Sequence, residues 1–222
     1  MVSINNFLIR LISVVFSVFT LIENETKISL GDSTSITDHL TPEQLSSVLQ
    51  SENTFLIDWS IDSMDRGSHD FNTSVHGQLV VTSDFKDLER GQVLYYHTPP
   101  KAIESTPSMP KKYIGRVVGL PGESVEIKNG QVYIDAQRLD AFYGIATMHG
   151  LNEEEYFNKV QSRNIENEQC TRDYFNTNMN PVTVKENTVF ILVDQWWRGI
   201  DSRDYGLLPI DRIEGIVIGY KE

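Results

Sequence analysis

The chain has 222 residues, a formal net charge of −12 and a single cysteine, Cys170. So acidic a chain is a poor partner for nucleic acid, because phosphate binding needs clusters of Lys and Arg. One cysteine excludes an intrachain disulfide and a cysteine-based metal cluster, and the five histidines show no ligand spacing, so we expect no metal and no cofactor.

The first element is the apolar stretch at residues 7–22, in which Arg10 is the only charge. It is shorter than the roughly 20 residues that cross a bilayer, but Arg10 can reach the cytoplasmic face. A cleaved signal peptide and a buried core helix are the alternatives. No small-residue cleavage site follows, and the stretch has no polar face. We predict a cytoplasmic N-terminus (1–6), a single-pass anchor in the membrane lipid (7–22) and an extracytoplasmic remainder.

Residues 23–54 are polar and are predicted to form a stalk. Within it, Thr41-Pro42-Glu43-Gln44 has the features of a helix start, which predicts a short helix to about Gln50.

From Phe55 onward, apolar residues alternate with a period of two in many short segments bounded by Gly, Pro, Asn or Asp. This pattern predicts a mainly β domain, a barrel or a sandwich. Asn129-Gly130 predicts a hairpin, and Leu120-Pro121-Gly122 predicts a tight turn. Residues 141–180 are polar and are predicted to be an insertion with one helix near Glu153–Val160. Gly115 is anomalous, because it gives up side-chain packing inside a predicted strand.

Three stretches carry a family resemblance: GRVVGLPGESVEI, NGQVYIDAQRL and VDQWWRGIDSRDYGLLP. They resemble the conserved boxes of type I signal peptidases (S26), membrane-anchored serine proteases that remove signal peptides. Arg116–Glu123 match one box, and Asp201, Ser202, Arg203 and Gly206 match the other. The resemblance covers roughly residues 55–220. It implies a signal-peptidase-type β-barrel or sandwich of short antiparallel strands over residues 55–222, with the insertion and an N-terminal membrane helix.

The resemblance also implies a serine nucleophile and a lysine base, and it places the lysine at Gly115. Counting back from Gly77 aligns the serine box with Ser68–Val75, which puts Asp70 at the nucleophile position and Phe71 at the following methionine. Ser68 then falls where some members place an extra hydroxyl. We therefore predict a degenerate dyad at Asp70 and Gly115, with Ser68, Asp70, Phe71, Gly115 and Arg116 as binding residues.

A rival register uses the literal Ser63-Met64, with Lys111 or Lys112 as the base. Lys111 and Lys112 lie four and three residues before Gly115, about 13 and 10 Å along a strand, and only Lys111 shares its parity. In the last box, Asp194, Asp201, Ser202 and Arg203 are predicted to be structural. Trp196-Trp197 is predicted either to pack inside the protein or to form an exposed patch.

Loss of both active positions predicts that the chain is not an enzyme. The pattern resembles the inactive signal-peptidase-like proteins of Gram-positive pilus loci, which assist pilin polymerisation with a sortase. The resemblance implies a membrane-anchored, chaperone-like protein that binds an extended segment of a pilin or another secreted protein. The alternatives are an active signal peptidase using Ser63 and a plain β adhesion or structural domain.

Overall fold

The computed structural model describes residues 35–160 and 167–222 of the chain. Short strands dominate this part and are numbered here in chain order. They are β1 Ile36–Thr37, β2 Ser47–Val48, β3 Thr54–Ile57, β4 Leu79–Thr82, β5 Val93–His97, β6 Lys112–Gly119, β7 Ser124–Lys128, β8 Gln131–Ile134, β9 Gln137–Asp140, β10 Met179–Thr183, β11 Thr188–Leu192, β12 Leu208–Pro209 and β13 Ile213–Lys221.

Five short helices connect the strands in the described part. They are α1 Thr73–His76, α2 Pro100–Ser105, α3 Glu153–Lys159, α4 Glu168–Phe175 and α5 Ser202–Tyr205, with 3₁₀ turns at Asp62–Met64 and Ile210–Arg212. α3 begins with a capping box between Asn152 and Glu155, and α4 begins with the side chain of Asn167 as its cap. Both ends follow the usual preference for Asn at the N-cap.

The larger sheet has the strand order β12-β11-β6-β5-β13-β4-β3, and β2 pairs separately with β13. Strand β13 joins its two halves, because it pairs antiparallel with both β4 and β5. The β6–β11 pairing includes only Arg116–Gly119 on the β6 side, so the Lys112–Gly115 half has β5 as its partner on one side and no paired strand on the other.

The smaller sheet has the order β1-β9-β8-β7-β10. The β7–β8 hairpin turns at Asn129 and Gly130, both with positive φ (48° and 72°), as a two-residue hairpin requires. Gly122 also has a positive φ, 91°, in the turn before β7.

Two apolar cores meet at β6. Tyr113 and Val117 belong to the core under the larger sheet, and Val118 belongs to the core of the smaller sheet. Because successive residues of a strand point to opposite faces, one strand serves both cores. Gly115 shares its parity with Tyr113 and Val117.

The structure confirms some of the predictions made from the sequence and corrects others. The mainly β class is confirmed, but the sheets of the described part are open and do not close into a barrel. The helix predicted from Thr41 is wrong. Residues 36–48 instead run across the domain and add the two-residue strands β1 and β2 to β9 and β13, so this part of the predicted stalk is built into the sheets. A short helix is marginally stable even with a good cap, so the hydrogen bonds offered by the open sheet edges favour an extended segment here.

The predicted helix near Glu153–Val160 is confirmed as α3, and the same insertion holds the unpredicted α4. The predicted membrane anchor at residues 7–22 lies outside the described residues. In the part that is described, none of the helices combines the length and the apolar character that a membrane crossing requires.

Candidate functional site

Ser63 lies on the 3₁₀ turn that follows the edge strand β3. Its side chain has no exposed surface, and neither has that of Met64. The carbonyl of Ser63 accepts a hydrogen bond from the backbone N–H of Gln195 (2.8 Å), and the Met64 sulfur lies 3.4 Å from the N–H of Asp194. These contacts fix the Ser-Met pair against the segment that follows β11.

The hydroxyl of Ser63 has no hydrogen-bond partner among the described residues that meets ordinary geometry. Its polar neighbour is the phenol of Tyr113. Burial raises the pKa of that phenol, and its interaction with Ser63 partly offsets the rise. Buried hydroxyls almost always have a partner, because leaving one without a hydrogen bond costs free energy. Ser63 is therefore a buried polar group that packing alone does not explain.

Gly199 provides the space that Ser63 occupies. A Cβ atom at Gly199 would lie 3.0 Å from the Cβ of Ser63 and 2.6 Å from a methyl group of Val193. Gly199 is the position two residues before Asp201 at which the resemblance implies a serine. The small residue thus keeps Ser63 next to the Asp-Ser-Arg segment.

Gly115 lies on β6 with space for a side chain. A Cβ atom there would meet Ile191 Cδ1 at 3.4 Å, the Leu192 carbonyl oxygen at 3.5 Å and Tyr96 Cε1 at 3.6 Å, all ordinary contacts. The hydroxyl of Tyr96 is 3.1 Å from that of Tyr205, and burial raises the pKa of both phenols, so they are neutral hydrogen-bonding groups. Tyr96 thus lies against Gly115 and Tyr113 against Ser63, and nothing in the sequence pattern identified these tyrosines.

The two candidate lysines do not contact Ser63 in this structure. The Lys112 ammonium is 2.7 Å from the carboxylate of Glu214 and lies over the ring of Tyr95, on the opposite face of β6 from Tyr113. That carboxylate is also 2.6 Å from His97 Nε2. Lys111 is exposed just before β6, and its carbonyl accepts a hydrogen bond from the N–H of Thr98.

The arginine next to Gly115 is held in a buried ion pair. Arg116 donates to both carboxylate oxygens of Asp194 at 2.7 and 2.5 Å, and its remaining amino group donates to the Gly91 carbonyl at 2.7 Å. Less than one-tenth of either side chain is exposed. This ion pair ties β6 to the turn that contacts Met64.

The Asp201–Arg203 segment is bound mainly to backbone groups. Asp201 is fully buried and accepts from the Val193 N–H and from the Arg203 guanidinium, while Ser202 accepts from the Ile191 N–H. Burial lowers the pKa of Arg203 and the charge of Asp201 outweighs it, so the pKa lies above its ordinary value. The Ser202 hydroxyl oxygen is therefore held against β11.

A loop of residues 195–199 covers Ser63. Trp196 is buried and its carbonyl accepts from Arg203, whereas Trp197 is 40% exposed. Arg198 closes the loop with an exposed ion pair to Asp62, the residue before Ser63, at 2.5 Å. Of the two predictions for the tryptophan pair, burial thus describes Trp196 and exposure describes Trp197.

The register favoured by the sequence, with Asp70 at the nucleophile position, falls elsewhere. Asp70 accepts a hydrogen bond from the Arg66 N–H (3.0 Å) and lines a cavity together with Phe71 and Arg116. Ser68 is exposed. Asp70, Phe71 and Arg116 therefore share one cavity, while the three atoms nearest a Cβ at Gly115 belong to Ile191, Leu192 and Tyr96. Ser63 is the candidate nucleophile on the Tyr113 side of β6.

Among the described residues, no group of His, Cys, Asp and Glu side chains is arranged to hold a metal ion. The polar neighbour of the Ser63 side chain is the Tyr113 phenol, which also lies within the field of the Asp201 carboxylate.

These features define a mainly β protein with a buried serine packed beside an Asp-Ser-Arg segment and a buried arginine–aspartate pair. The chain belongs to the signal peptidase family, peptidase S26, whose family model matches residues 7–219. It is 32% identical over 104 residues to signal peptidase I S of Bacillus subtilis strain 168, covering 46% of this chain and 48% of that protein. It is 28% identical over 130 residues to signal peptidase IB of Staphylococcus aureus, covering 59% of each.

A probable signal peptidase I-1 of a Synechocystis strain is 28% identical over 135 residues, which cover 61% of this chain and 55% of that protein. The chain thus spans about half the length of these curated relatives. A crystal structure of a signal peptidase I from Enterococcus faecalis V583 is 21% identical, covers 60% of this chain and 99% of that chain, and aligns with a TM-score of 0.40.

The expectation that the chain is not an enzyme is therefore wrong. The family is that of the signal peptidases, and these curated relatives are all named signal peptidase I. The expectation rested on the loss of both active positions, with Asp70 at the nucleophile position and Gly115 at the base position. The structure keeps Gly115 on β6 and places the literal Ser63-Met64 beside the Asp-Ser-Arg segment.

Proposed function

We propose that this chain is a serine peptidase of the signal peptidase family that acts on an extended segment of a secreted protein, with Ser63 as its nucleophile. The observation that carries the proposal is the buried hydroxyl of Ser63, which has no partner among the described residues and lies beside Gly199 and Tyr113. A serine hydroxyl becomes nucleophilic when a base within hydrogen-bond reach takes its proton, and a hydroxyl without a partner is open to such a base.

In the proposed reaction, Ser63 Oγ attacks the carbonyl carbon of the scissile peptide bond and gives its proton to a lysine amine. The amine then transfers that proton to the departing nitrogen as the peptide bond breaks, and water releases the acyl group. Lys111 is the better-placed base, since it has the parity of Gly115 and forms no ion pair with residues 35–160 or 167–222. Lys112 would first have to leave Glu214.

We place the substrate along the Lys112–Gly115 half of β6, whose side away from β5 pairs with no other strand of the described part. A peptide added there gains main-chain hydrogen bonds, which is how extended peptides often bind to sheet edges. Since Ser63 is fully buried, the 195–199 loop must move before the substrate reaches it.

We further propose that residues 7–22 anchor the chain in the cell membrane, with the β domain extracytoplasmic. The proposed client is a pilin subunit or another secreted protein, handled together with a sortase. This part rests on the sequence resemblance to proteins of pilus loci and on the apolar composition of residues 7–22. An anchor would raise the effective concentration of the site near membrane-bound clients.

The test is hydrolysis of a quenched fluorescent signal-peptide substrate by the full-length chain in detergent micelles. We expect turnover that Ser63→Ala abolishes and Asp70→Asn preserves, with unfolding curves showing that both variants fold. Hydrolysis that persists in Ser63→Ala would refute the assignment of the nucleophile. A folded wild-type chain that binds the peptide without cutting it would refute the peptidase function.

A further inference from the structure

A cavity of about 500 Å³ lies between the larger sheet and residues 36–45, the bridging part of the N-terminal segment. Its floor is apolar and includes Phe71, Val93, Val217 and Tyr220, and the bridging segment adds Leu45. Cavities of several hundred Å³ with apolar walls and a few polar groups are the usual form of a ligand site.

The bridging segment is fixed at both ends. β1 pairs with β9, and β2 pairs with β13, so residues 38–46 cross the space between two sheet edges. Asp38 secures the first end by accepting hydrogen bonds from the hydroxyls of Thr41 and Tyr143. The cavity is thus framed by secondary structure on its floor and by an anchored segment above it.

The cations that line the cavity are already neutralised. Arg116 forms its two-point ion pair with Asp194, and Arg90 is 2.6 Å from the carboxylate of Glu123. Arg66 lies close by, with its guanidinium 3.7 Å from Glu43 and over the ring of Phe142. None of the arginines that line the cavity is left with an uncompensated charge.

Of the carboxylates that line the cavity, Glu43 is the one paired with Arg66, whereas Asp38, Asp70 and Glu89 form no ion pair with the described residues. Asp70 accepts from a backbone N–H, and Asp38 accepts from hydroxyl and backbone groups, so neutral donors hold their negative charges. Glu89 has no ion pair within the described residues and is exposed at the rim. Burial raises the pKa of Asp38 and its hydrogen bonds outweigh that effect, so this carboxyl stays ionised.

We propose that this cavity binds a lysine side chain from an extended segment of a partner polypeptide. The uncompensated carboxylates favour a cation, and the apolar floor suits the four-methylene stem of lysine, which buries its stem while its ammonium meets an acid. The ammonium is placed at Asp70, between the floor residue Phe71 and the bridging segment. This site is separate from Ser63, and the inference goes beyond the proposed hydrolysis.

Isothermal titration of the full-length Ser63→Ala chain with the peptide acetyl-Ala-Lys-Ala-amide tests the proposal without cleavage. We expect saturable binding that weakens about tenfold when norleucine, which keeps the stem and lacks the charge, replaces lysine. Acetylated lysine should bind as weakly as norleucine, and added salt should weaken only the lysine peptide.

Asp70→Asn should weaken lysine-peptide binding about fivefold and leave norleucine-peptide binding unchanged. The matched control is Asp211→Asn, which removes the same charge at an exposed position outside the cavity and should have no effect. Equal binding of lysine and norleucine, tighter binding of acetyl-Ala-Glu-Ala-amide, equal effects of the two variants, or no saturable heat would each overturn the proposal. None of these outcomes depends on whether Ser63 is the nucleophile.

Discussion

Gly115→Lys is the substitution that most directly tests the chemistry proposed for Ser63. The position tolerates a Cβ atom, whose nearest neighbours would lie at 3.4–3.6 Å, so the backbone of β6 need not move. The new side chain would point to the face of Tyr113, whose Cα lies about 6.6 Å away along the strand. That spacing brings a lysine amine toward the hydroxyl of Ser63.

The expected gain follows from the cost of placing an amine there. Gly115 is buried, so desolvation should lower the pKa of the new lysine and leave a neutral amine near physiological pH. A positioned general base contributes about 10²- to 10⁴-fold to the rate, and we expect hydrolysis to rise at least about 100-fold. Each unit of pKa depression should cost about 1.4 kcal/mol of folding free energy, a deficit that shrinks as the pH rises toward the ordinary lysine pKa.

The assay compares hydrolysis by the wild type, Gly115→Lys and Gly115→Met, since methionine fills similar space without a base. Adding Ser63→Ala to Gly115→Lys should remove the gain. Equal rates for the lysine and methionine variants in folded protein, or a gain that survives Ser63→Ala, would show that Ser63 is not poised to react with a base at this position.

Three further predictions concern the surroundings of the site. Asp194→Ala leaves Arg116 buried without its partner, so it should lower the free energy of unfolding by about 3–5 kcal/mol and the Tm by about 6–20 °C. The double variant Arg116→Met with Asp194→Leu should recover most of this loss. A loss below about 1 kcal/mol in urea unfolding of Asp194→Ala would contradict this role of the ion pair. The pKa of Asp38 is lowered in the folded state, so its contribution to stability is present above the unfolded value of 3.8 and is lost as the pH falls through the folded pKa. Asp38→Asn should flatten that part of the stability-versus-pH curve. An unchanged acid limb of the curve would refute this contribution of Asp38. Asp62→Asn weakens the exposed ion pair to Arg198, so it should increase acrylamide quenching of Trp197 while changing the free energy of unfolding by less than about 1 kcal/mol. Unaltered quenching would mean that this ion pair does not hold the loop of residues 195–199.

The sequence indicated the parts of the fold that are governed by local rules. Asn129-Gly130 predicted its hairpin because few residues other than Asn and Gly accept positive φ at both turn positions. The helix near Glu153–Val160 was predicted from the sequence, and the structure shows that it begins with a local capping box between Asn152 and Glu155. The strands β1 and β2 were missed because each is only two residues long and exists through pairing with distant edges. No local signal outweighed Thr41-Pro42, which in isolation favours a helix.

The candidate site was less predictable, because its register depends on packing in three dimensions. Counting residues back from Gly77 favoured Asp70, since counting assumes that the loop between the serine box and β4 has the family length. Residues 65–72 instead form an irregular loop with positive φ at Gly67, His69 and Phe71, so the chain between Ser63 and Gly77 takes up the additional length. The spacing in the sequence does not determine which residue packs against Gly199, because that depends on the path of this loop.

The geometry of β6 connects the proposed reaction with the proposed lysine site. Tyr113 and Gly115 face the core that holds Ser63, while Arg116 faces the cavity that Asp70 lines. The Arg116–Asp194 ion pair joins the two sides, since the backbone N–H of Asp194 also donates to the sulfur of Met64, the residue after Ser63. A polypeptide bound in the cavity therefore contacts β6 at Arg116, the residue next to Gly115, without contacting Ser63. If a lysine in the cavity competes with Arg116 for the carboxylate of Asp194, its binding should alter hydrolysis at Ser63. If it meets Asp70 alone, because Asp194 is already paired with Arg116, binding and hydrolysis should be independent.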